Sequence, residues 1–403
     1  PTFENLIENI NKKDILEHAK ESCILVHEKV INLINDFINL KKEYGTNIEK
    51  KLYENMTDKQ FIIRLIKKRP FYFYNKNDIS MLRDGTIPNE NDWNKIGTNE
   101  ENKIKIYDYL SYDEMQISSL IGVSTETYFI NNGERYNFGK KMNIETFEEI
   151  GIHIGLVGAR FEKKDKMESQ HIIISKKYNH ENLNLKLLSI WAKFYNQKQI
   201  NEYYYFPSFE EIFNFSDEKK YYKLNDYEFF NIDIYKQRLS IPIEILLKES
   251  NNRSILKQKE AYIHVVGLVL GVWQITKKQA TWFIEIFIDI LKNTELNNFP
   301  DVTNVINTEL GEEKYNEVKN NKEIYIKNKF NNKFKIKFSK RNPCDKILSD
   351  KKLLIASFAW DGNSFVGNEY WNGCLGSSGD PAAACCSSIP QLLNPYINPF
   401  LEK

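Results

Sequence analysis

The chain has 403 residues, 41% hydrophobic and 28% charged, with a formal net charge of +1. That length allows two or three domains with ample core, and the balance excludes a disordered polymer and a globally basic nucleic-acid binder. The longest apolar run, 265–275, is interrupted by Gly267 and Gly271 and falls short of the roughly 20 residues that span a bilayer, so no transmembrane segment is expected.

In chain order, residues 1–70 read as helices. Leu6, Ile10, Ile24, Leu25, Val30, Ile31, Ile34, Phe37 and Ile38 recur at helical spacing, and 58–67 repeats the pattern. Residues 69–101 are polar and turn-rich. They set a boundary between an N-terminal helical region, 1–100, and a larger domain, 101–403. Short strands are expected at 103–110, 125–130, 151–157 and 171–175, and a helix at 182–195. The stretch 196–250 is aromatic and charged, and the order of its elements stays open. A buried strand at 261–266 precedes an amphipathic helix at 276–291. Residues 310–350, rich in Lys and Asn, read as an exposed insertion with a hairpin at Asn331-Asn332, and 353–359 is another apolar strand. Alternating strands and helices argue for an α/β fold, a mixed or largely parallel sheet flanked by helices. Five cysteines, with Cys385 and Cys386 adjacent, read as reduced and buried in a cytosolic protein. No Cys/His spacing fits a zinc site, so no metal is expected. Pro1 reads as a chain whose natural start has been cut away, which leaves N-terminal targeting unread.

The segment 353–395 is the most informative. An apolar strand runs into Trp360-Asp361-Gly362-Asn363-Ser364, then Val366-Gly367-Asn368-Glu369-Tyr370-Trp371. The small-residue loop Gly376-Ser377-Ser378-Gly379 follows and leads into Asp380-Pro381-Ala382-Ala383-Ala384. Asp380 reads as an N-cap and Pro381 as the first helical residue. Strand, glycine-rich loop and helix N-terminus together gather backbone N–H groups around a phosphate. Trp360, Tyr370 and Trp371 offer stacking surface for a base or ribose. A tight loop beside a capped helix is the plainer account. The density of acids and amides after a buried strand favours a ligand site, because such groups are costly to bury unless they hold something.

Two further segments are weaker. Residues 264–273 form a strand opening into a turn with Gly267 and Gly271, which a bulge explains equally well. Residues 128–137 and 155–162 are strands that end in Asn131-Asn132-Gly133 and Gly158-Ala159-Arg160. Arg160 is a phosphate partner or, the favoured reading, an ion-pair partner of Glu162 or Glu168. His153, His171 and His264 lie in apolar strands and read as core residues. No nucleophile elbow, Walker loop or dinucleotide fingerprint occurs.

Residues 155–162, 265–273, 359–371 and 378–387 together resemble an atypical macrodomain family that occurs in Legionella effectors and some eukaryotes. The resemblance covers 105–400 in patches and leaves out the N-terminal helices. It implies a macrodomain-like domain that removes ADP-ribose from arginine side chains and so undoes an effector transferase. The Asn-bearing loop that holds the distal ribose resembles 361–369, with Asn363, Gly367 and Asn368. The loop that holds the diphosphate resembles 267–272, with Gly267, Gly271, Val272 and neighbouring Trp273. In ordinary macrodomains the first loop precedes the second; here the order is reversed. Gly379, Asn132 and Arg160 complete the expected ADP-ribose contacts. The acidic residues carried over are Asp361, Glu369 and Asp380; Glu369 stands where relatives have aspartate.

Cleavage of an arginine N-glycoside passes through an oxocarbenium-like transition state and needs carboxylates to direct water and hold the guanidinium. Those duties are expected of Asp361 and Glu369, with Asp380 orienting the loop as a helix cap or hydrogen-bonding ribose. No cofactor beyond the ligand ADP-ribose and no metal is implied. The resemblance further implies a secreted effector acting in the host cytoplasm or at an organelle surface, on a modified host protein such as ubiquitin or a mitochondrial carrier. Three alternatives remain: a non-catalytic ADP-ribose reader, an NAD-using transferase built on Arg160 and Glu369, and an interaction protein docking through its N-terminal helices.

Overall fold

A computed structural model describes residues 12–74, 79–161, 163–164, 166–177, 184–214, 217–296, 301–304, 323–339, 341–376 and 379–402. Leu6, Ile10, Glu162, Ser377, Ser378 and most of 297–322 therefore lie outside the described residues. The chain forms two compact units that interleave in sequence. The first draws on the described residues of Pro1–Leu25, Ile121–Gly158 and Pro242–Lys403; the second is Val26–Leu120 with Ala159–Ile241.

The first unit is built on an eight-stranded mixed sheet. In chain order its strands are β1 (Cys23–Leu25), β2 (Gly122–Tyr128), β3 (Ile150–Val157), β4 (Glu260–Val265), β5 (Asp301–Asn304), β6 (Glu323–Lys327), β7 (Lys333–Phe338) and β8 (Lys352–Trp360). Their spatial order is β1-β2-β3-β8-β4-β5-β7-β6. The five strands β3, β8, β4, β5 and β7 run parallel, and antiparallel partners close both sides. β3 and β8 are buried almost throughout, which is why they read as continuous apolar runs rather than alternating ones. The register pairs Ala356 with His153 and Trp360 with Val157.

Helices of this unit are α1 (Lys12–Glu21), α2 (Ile232–Leu256, in which the division between units falls at Pro242), α3 (Lys278–Asn293), α4 (Asn368–Trp371), α5 (Asp380–Cys386) and α6 (Ile389–Leu392). Ala280, Phe283, Ile284, Phe287, Ile288 and Leu291 form one buried stripe of α3 at the expected helical spacing.

Several local expectations change. Ile24 and Leu25, expected in a helix, belong to β1, because pairing with β2 satisfies their backbone. Residues 103–110 fold into turns rather than a strand. The Asp108 and Tyr109 amides both donate to the Lys105 carbonyl at 2.9 Å, and the Ile106 amide donates to Glu101. His171 lies within a short helix, Ser169–Ile172, and only Ile173–Ser175 is strand. The Asn331-Asn332 hairpin forms as expected. Its second strand, β7, joins the sheet beside β5 and buries Phe334, Ile336 and Phe338.

The second unit packs helices Glu28–Tyr44, Asn47–Tyr53, Asp58–Lys67, Tyr112–Ser118 and Leu185–Phe194 with a small sheet of Ile173–Ser175, Glu228–Asn231 and Tyr221–Asn225. Reciprocal capping boxes start three of these helices, at Thr46/Glu49, Thr57/Gln60 and Ser111/Glu114. Its core encloses an ion pair. Arg238 Nε meets Glu168 Oε1 at 3.0 Å with both side chains out of solvent, and Ser119 Oγ donates to the same oxygen at 2.7 Å. Arg238→Met should therefore cost about 3–5 kcal/mol in urea unfolding, because Glu168 stays buried without its cation. A loss under about 1 kcal/mol would mean that the pair is dispensable.

Candidate active site

Three loops leave the sheet at its carboxyl edge, from the adjacent parallel strands β3, β8 and β4. That edge is where open α/β sheets bind ligands. β3 ends in Val157-Gly158, β8 in Asp361-Gly362-Asn363-Ser364, and β4 in Val266-Gly267. The loop after β4 reaches across the end of β8 to β3. A Cβ on Gly158 would lie 2.5 Å from Val269 Cγ2 and 3.2 Å from the Val269 amide nitrogen, so only glycine permits this approach. Val269 itself sits at φ +62°, an unusual conformation for a β-branched residue and a local store of strain. Buried Gln279, in the first turn of α3, fixes the far side of the loop. Its Oε1 accepts from the Ile275 and Thr276 amides at 2.6 and 2.9 Å.

Asp361 is held firmly. Oδ1 accepts from the Asn363 and Ser364 amides at 2.9 and 3.0 Å, and Oδ2 accepts from Ser364 Oγ at 2.8 Å. The chain then turns through Gly367, at φ +68° and pressed against Pro390 of α6, into α4. Glu369 lies in the first turn of α4. In the orientation that satisfies its surroundings, the Asn368 side-chain amide donates to the Glu369 carboxylate at 3.0 Å and to the Phe365 carbonyl at 3.2 Å. α4 packs on α5, which begins at Asp380.

The expected cap is displaced by one residue. Gly379 is the N-cap, at φ +75°, and Asp380 is the first helical residue. Glycine takes the cap because the chain enters α5 with positive φ, which aspartate adopts at a cost. Freed from capping, the Asp380 carboxyl is buried beside the Gly367 amide.

The three carboxyls act on one another. Burial is the main cause that raises Glu369 to about 8, and Asp361 adds to it. Asp380 is raised well above the usual range by burial first, then by Glu369 and Asp361, and the Gly367 amide opposes this only in part. Carboxyls that crowd together and carry displaced proton affinities mark a site built to meet a cation.

The other expected residues divide. Asn363, Gly367 and Asn368 are buried parts of the Asp361–Glu369 turn, and Gly379 adjoins Asp380. Gly267, Gly271, Val272 and Trp273 belong to the loop after β4, where Val272 is 94% exposed and Trp273 half-buried. Asn132 is engaged elsewhere. It follows β2, whose antiparallel course ends at the other edge of β3, and its Nδ2 donates to Asp345 Oδ1 at 3.0 Å. Arg160 belongs to the second unit, buried, with its amide on Glu168 and its guanidinium 6.0 Å from the Phe73 ring. Trp360 offers no stacking face, being 1% exposed with its indole N–H on the Ser364 carbonyl. Tyr370 and Trp371 stay nearer the surface, their rings 5.0 Å apart and edge-on.

Three residues escaped the sequence reading. Ser364 clamps Asp361. Phe138 packs on Gly376, where a Cβ would come within 2.7 Å of its ring. Cys385 is pushed up to about 12 by burial first, then by Cys386, Glu369 and Asp380, which places its thiol beside the acids. Serine two or three residues after an aspartate was the available signal for the first; nothing in the linear sequence marks the other two. Burial brings His153 and His264 down to about 3, so both imidazoles are uncharged at neutral pH.

A family model described as ADP-ribosylhydrolase MavL-like matches residues 5–402. The chain is 34% identical over 407 residues to ADP-ribosylarginine hydrolase CG3568 of Drosophila melanogaster, covering 95% of this chain and 77% of that protein. It is 31% identical over 403 residues to ADP-ribosylarginine hydrolase CG2909 of the same organism, covering 95% and 78%.

Proposed function

The chain belongs to the MavL-like ADP-ribosylhydrolase family, and we propose that it hydrolyses the bond between ADP-ribose and an arginine side chain at the carboxyl edge of its sheet. The observation that carries this reading is the convergence of Asp361, Glu369 and Asp380, two of them with raised proton affinity. A protonated glycosyl-guanidinium supplies the positive charge that this arrangement lacks. We read the domain as a macrodomain-like fold with its ribose and diphosphate loops in reversed order; the parallel centre of the sheet and the gathering of both loops at one edge support that.

In this scheme the diphosphate rests on the 267–272 loop and the distal ribose on 361–369. Asp361, fixed by its three donors, orients the attacking water. Glu369 ionises against the guanidinium and takes the water proton as the new C–O bond forms. The C–N bond breaks as an oxocarbenium-like sugar develops, and the proton passes to the departing guanidine. Family membership supports an ADP-ribosylated protein as substrate. Its identity as a host protein, and action in a host cytoplasm, rest on the resemblance to effectors.

Incubation with an arginine-modified protein should release free ADP-ribose and restore unmodified arginine, read by intact mass. Binding of ADP-ribose without release would instead make the protein a reader. The pH dependence is a sharper check. Ionised Glu369 is the working form, so kcat/KM should rise with pH through about 8 in the free enzyme. Glu369→Gln should abolish that inflection, and a variant that keeps it would remove Glu369 from the proton transfer.

A further inference from the structure

The core of the first unit contains a cluster of metal-binding side chains that the reaction leaves unused. His153 lies in β3, Cys344 between β7 and β8, and Cys386 at the end of α5. They are 1%, 0% and 1% exposed. A ring nitrogen of His153 and the sulfurs of Cys344 and Cys386 all lie within 4.8 Å of one another. Phe129, Phe147, Leu354 and Ala356 surround the two thiols. Backbone bonds fix both cysteines: the Cys344 amide donates to the Asn132 carbonyl at 2.8 Å, and the Ile130 amide to the Cys386 carbonyl at 2.9 Å.

The imidazole is held in a defined tautomer. Ser387 Oγ has one proton and gives it to the Ala383 carbonyl at 2.8 Å. At 3.3 Å from His153 Nδ1 the same hydroxyl therefore accepts. Nδ1 carries the ring proton, and the Nε2 lone pair is left to bind an electrophile. This is the outer-shell arrangement that orients metal-binding histidines. A second, independent observation concerns His264. The register places His153, Ala356 and His264 side by side across β3, β8 and β4 on one face of the sheet, with only a methyl group between the imidazoles. His264 is 1% exposed, and its Nδ1 has no hydrogen-bond partner among the described residues. So buried an atom calls for a partner.

We propose that His153, Cys344 and Cys386, the three groups that already lie together, bind a structural zinc ion, and that His264 turns toward it as the fourth ligand. A dication, two thiolates and two neutral imidazoles sum to zero charge, which suits an apolar layer that would reject a lone thiolate. Bonds of ~2.3 Å to sulfur and ~2.0 Å to nitrogen put tetrahedral ligand atoms about 3.3–3.8 Å apart, within the span observed for His153, Cys344 and Cys386. Binding releases two thiol protons to solvent and involves no redox change. The ion would pin the end of α5 whose other end presents Asp380. Its ligands come from four separated elements, so no linear Cys/His spacing reveals them.

The test is metal content. Protein made in zinc-supplemented medium and purified without chelator should contain about one zinc per chain by mass spectrometry. Cobalt(II) exchanged into it should show thiolate charge-transfer absorption and tetrahedral visible bands. Cys344→Ser and Cys386→Ser should each lose zinc and the cobalt spectrum. The wild-type count and spectrum stand even where those variants unfold. A folded chain free of zinc that takes up no cobalt overturns the proposal, as does a disulfide between Cys344 and Cys386. Neither result bears on the hydrolase reading.

Discussion

Asp361→Asn should lower kcat on an arginine-modified protein by about 10²–10⁴-fold, the usual range for a positioned acid or base. The fold should not suffer. Asparagine keeps a side-chain oxygen for the Asn363 and Ser364 amides that bind Oδ1, and its amide nitrogen faces Ser364 Oγ, which accepts as readily as it donates. Melting temperature and ADP-ribose affinity should therefore change little while turnover collapses. A variant that unfolds would show that Asp361 is a turn residue first. One that turns over at the wild-type rate would take the water-orienting role away from it.

Asp380→Asn should separate activity from stability in the opposite direction. Burial and the neighbouring acids favour the protonated form of Asp380, which asparagine resembles in shape and charge. Asparagine cannot ionise against a guanidinium or an oxocarbenium, and we expect a loss of at least about 10²-fold in turnover. Stability should increase. A carboxyl with a raised folded pKa stabilises the native state only below its unfolded pKa, and that contribution fades as pH rises toward the folded value. For Asp380 the decline starts near the model-peptide value of 3.8 and continues well above it. For Glu369 the window runs from 4.5 to about 8. Each group costs at most about 1.4 kcal/mol per pH unit within its window. The gap in melting temperature between Asp380→Asn and wild type should thus be small near pH 4 and widen toward pH 8. A gap that narrows with pH would mean that Asp380 is ionised in the folded protein. Full activity in the variant would reduce Asp380 to a packing residue.

The local pattern made much of the site legible. β8, the amphipathic α3 and the hairpin at Asn331-Asn332 each carry a periodicity or turn signal strong enough to survive packing. The Asp361–Glu369 turn was visible because acids and amides directly after a buried strand are costly without a role. What failed depended on partners far away in sequence. Ile24 and Leu25 have helical spacing yet pair with β2, because the strand edge offers backbone hydrogen bonds that spacing does not encode. Ile104 and Ile106 alternate like a strand, but the Glu101 carboxylate claims the Ile106 amide and turns take up the residues that follow. Asp380 read as a cap because Asp-Pro so often starts a helix; the glycine before it took the cap and left the acid to the site. Asn132 looked like a ligand residue at a strand end, but antiparallel pairing turned that end away.

On our proposal, water attacks the sugar carbon at the edge lined by Asp361, Glu369 and Asp380. Hydrolysis of an arginine-modified protein in heavy-oxygen water tests it most directly. The expected result is heavy oxygen in the released ADP-ribose, unlabelled arginine on the restored protein, and no release by Asp361→Asn. Failure to release ADP-ribose, or label-bearing release that Asp361→Asn sustains at the wild-type rate, would contradict it.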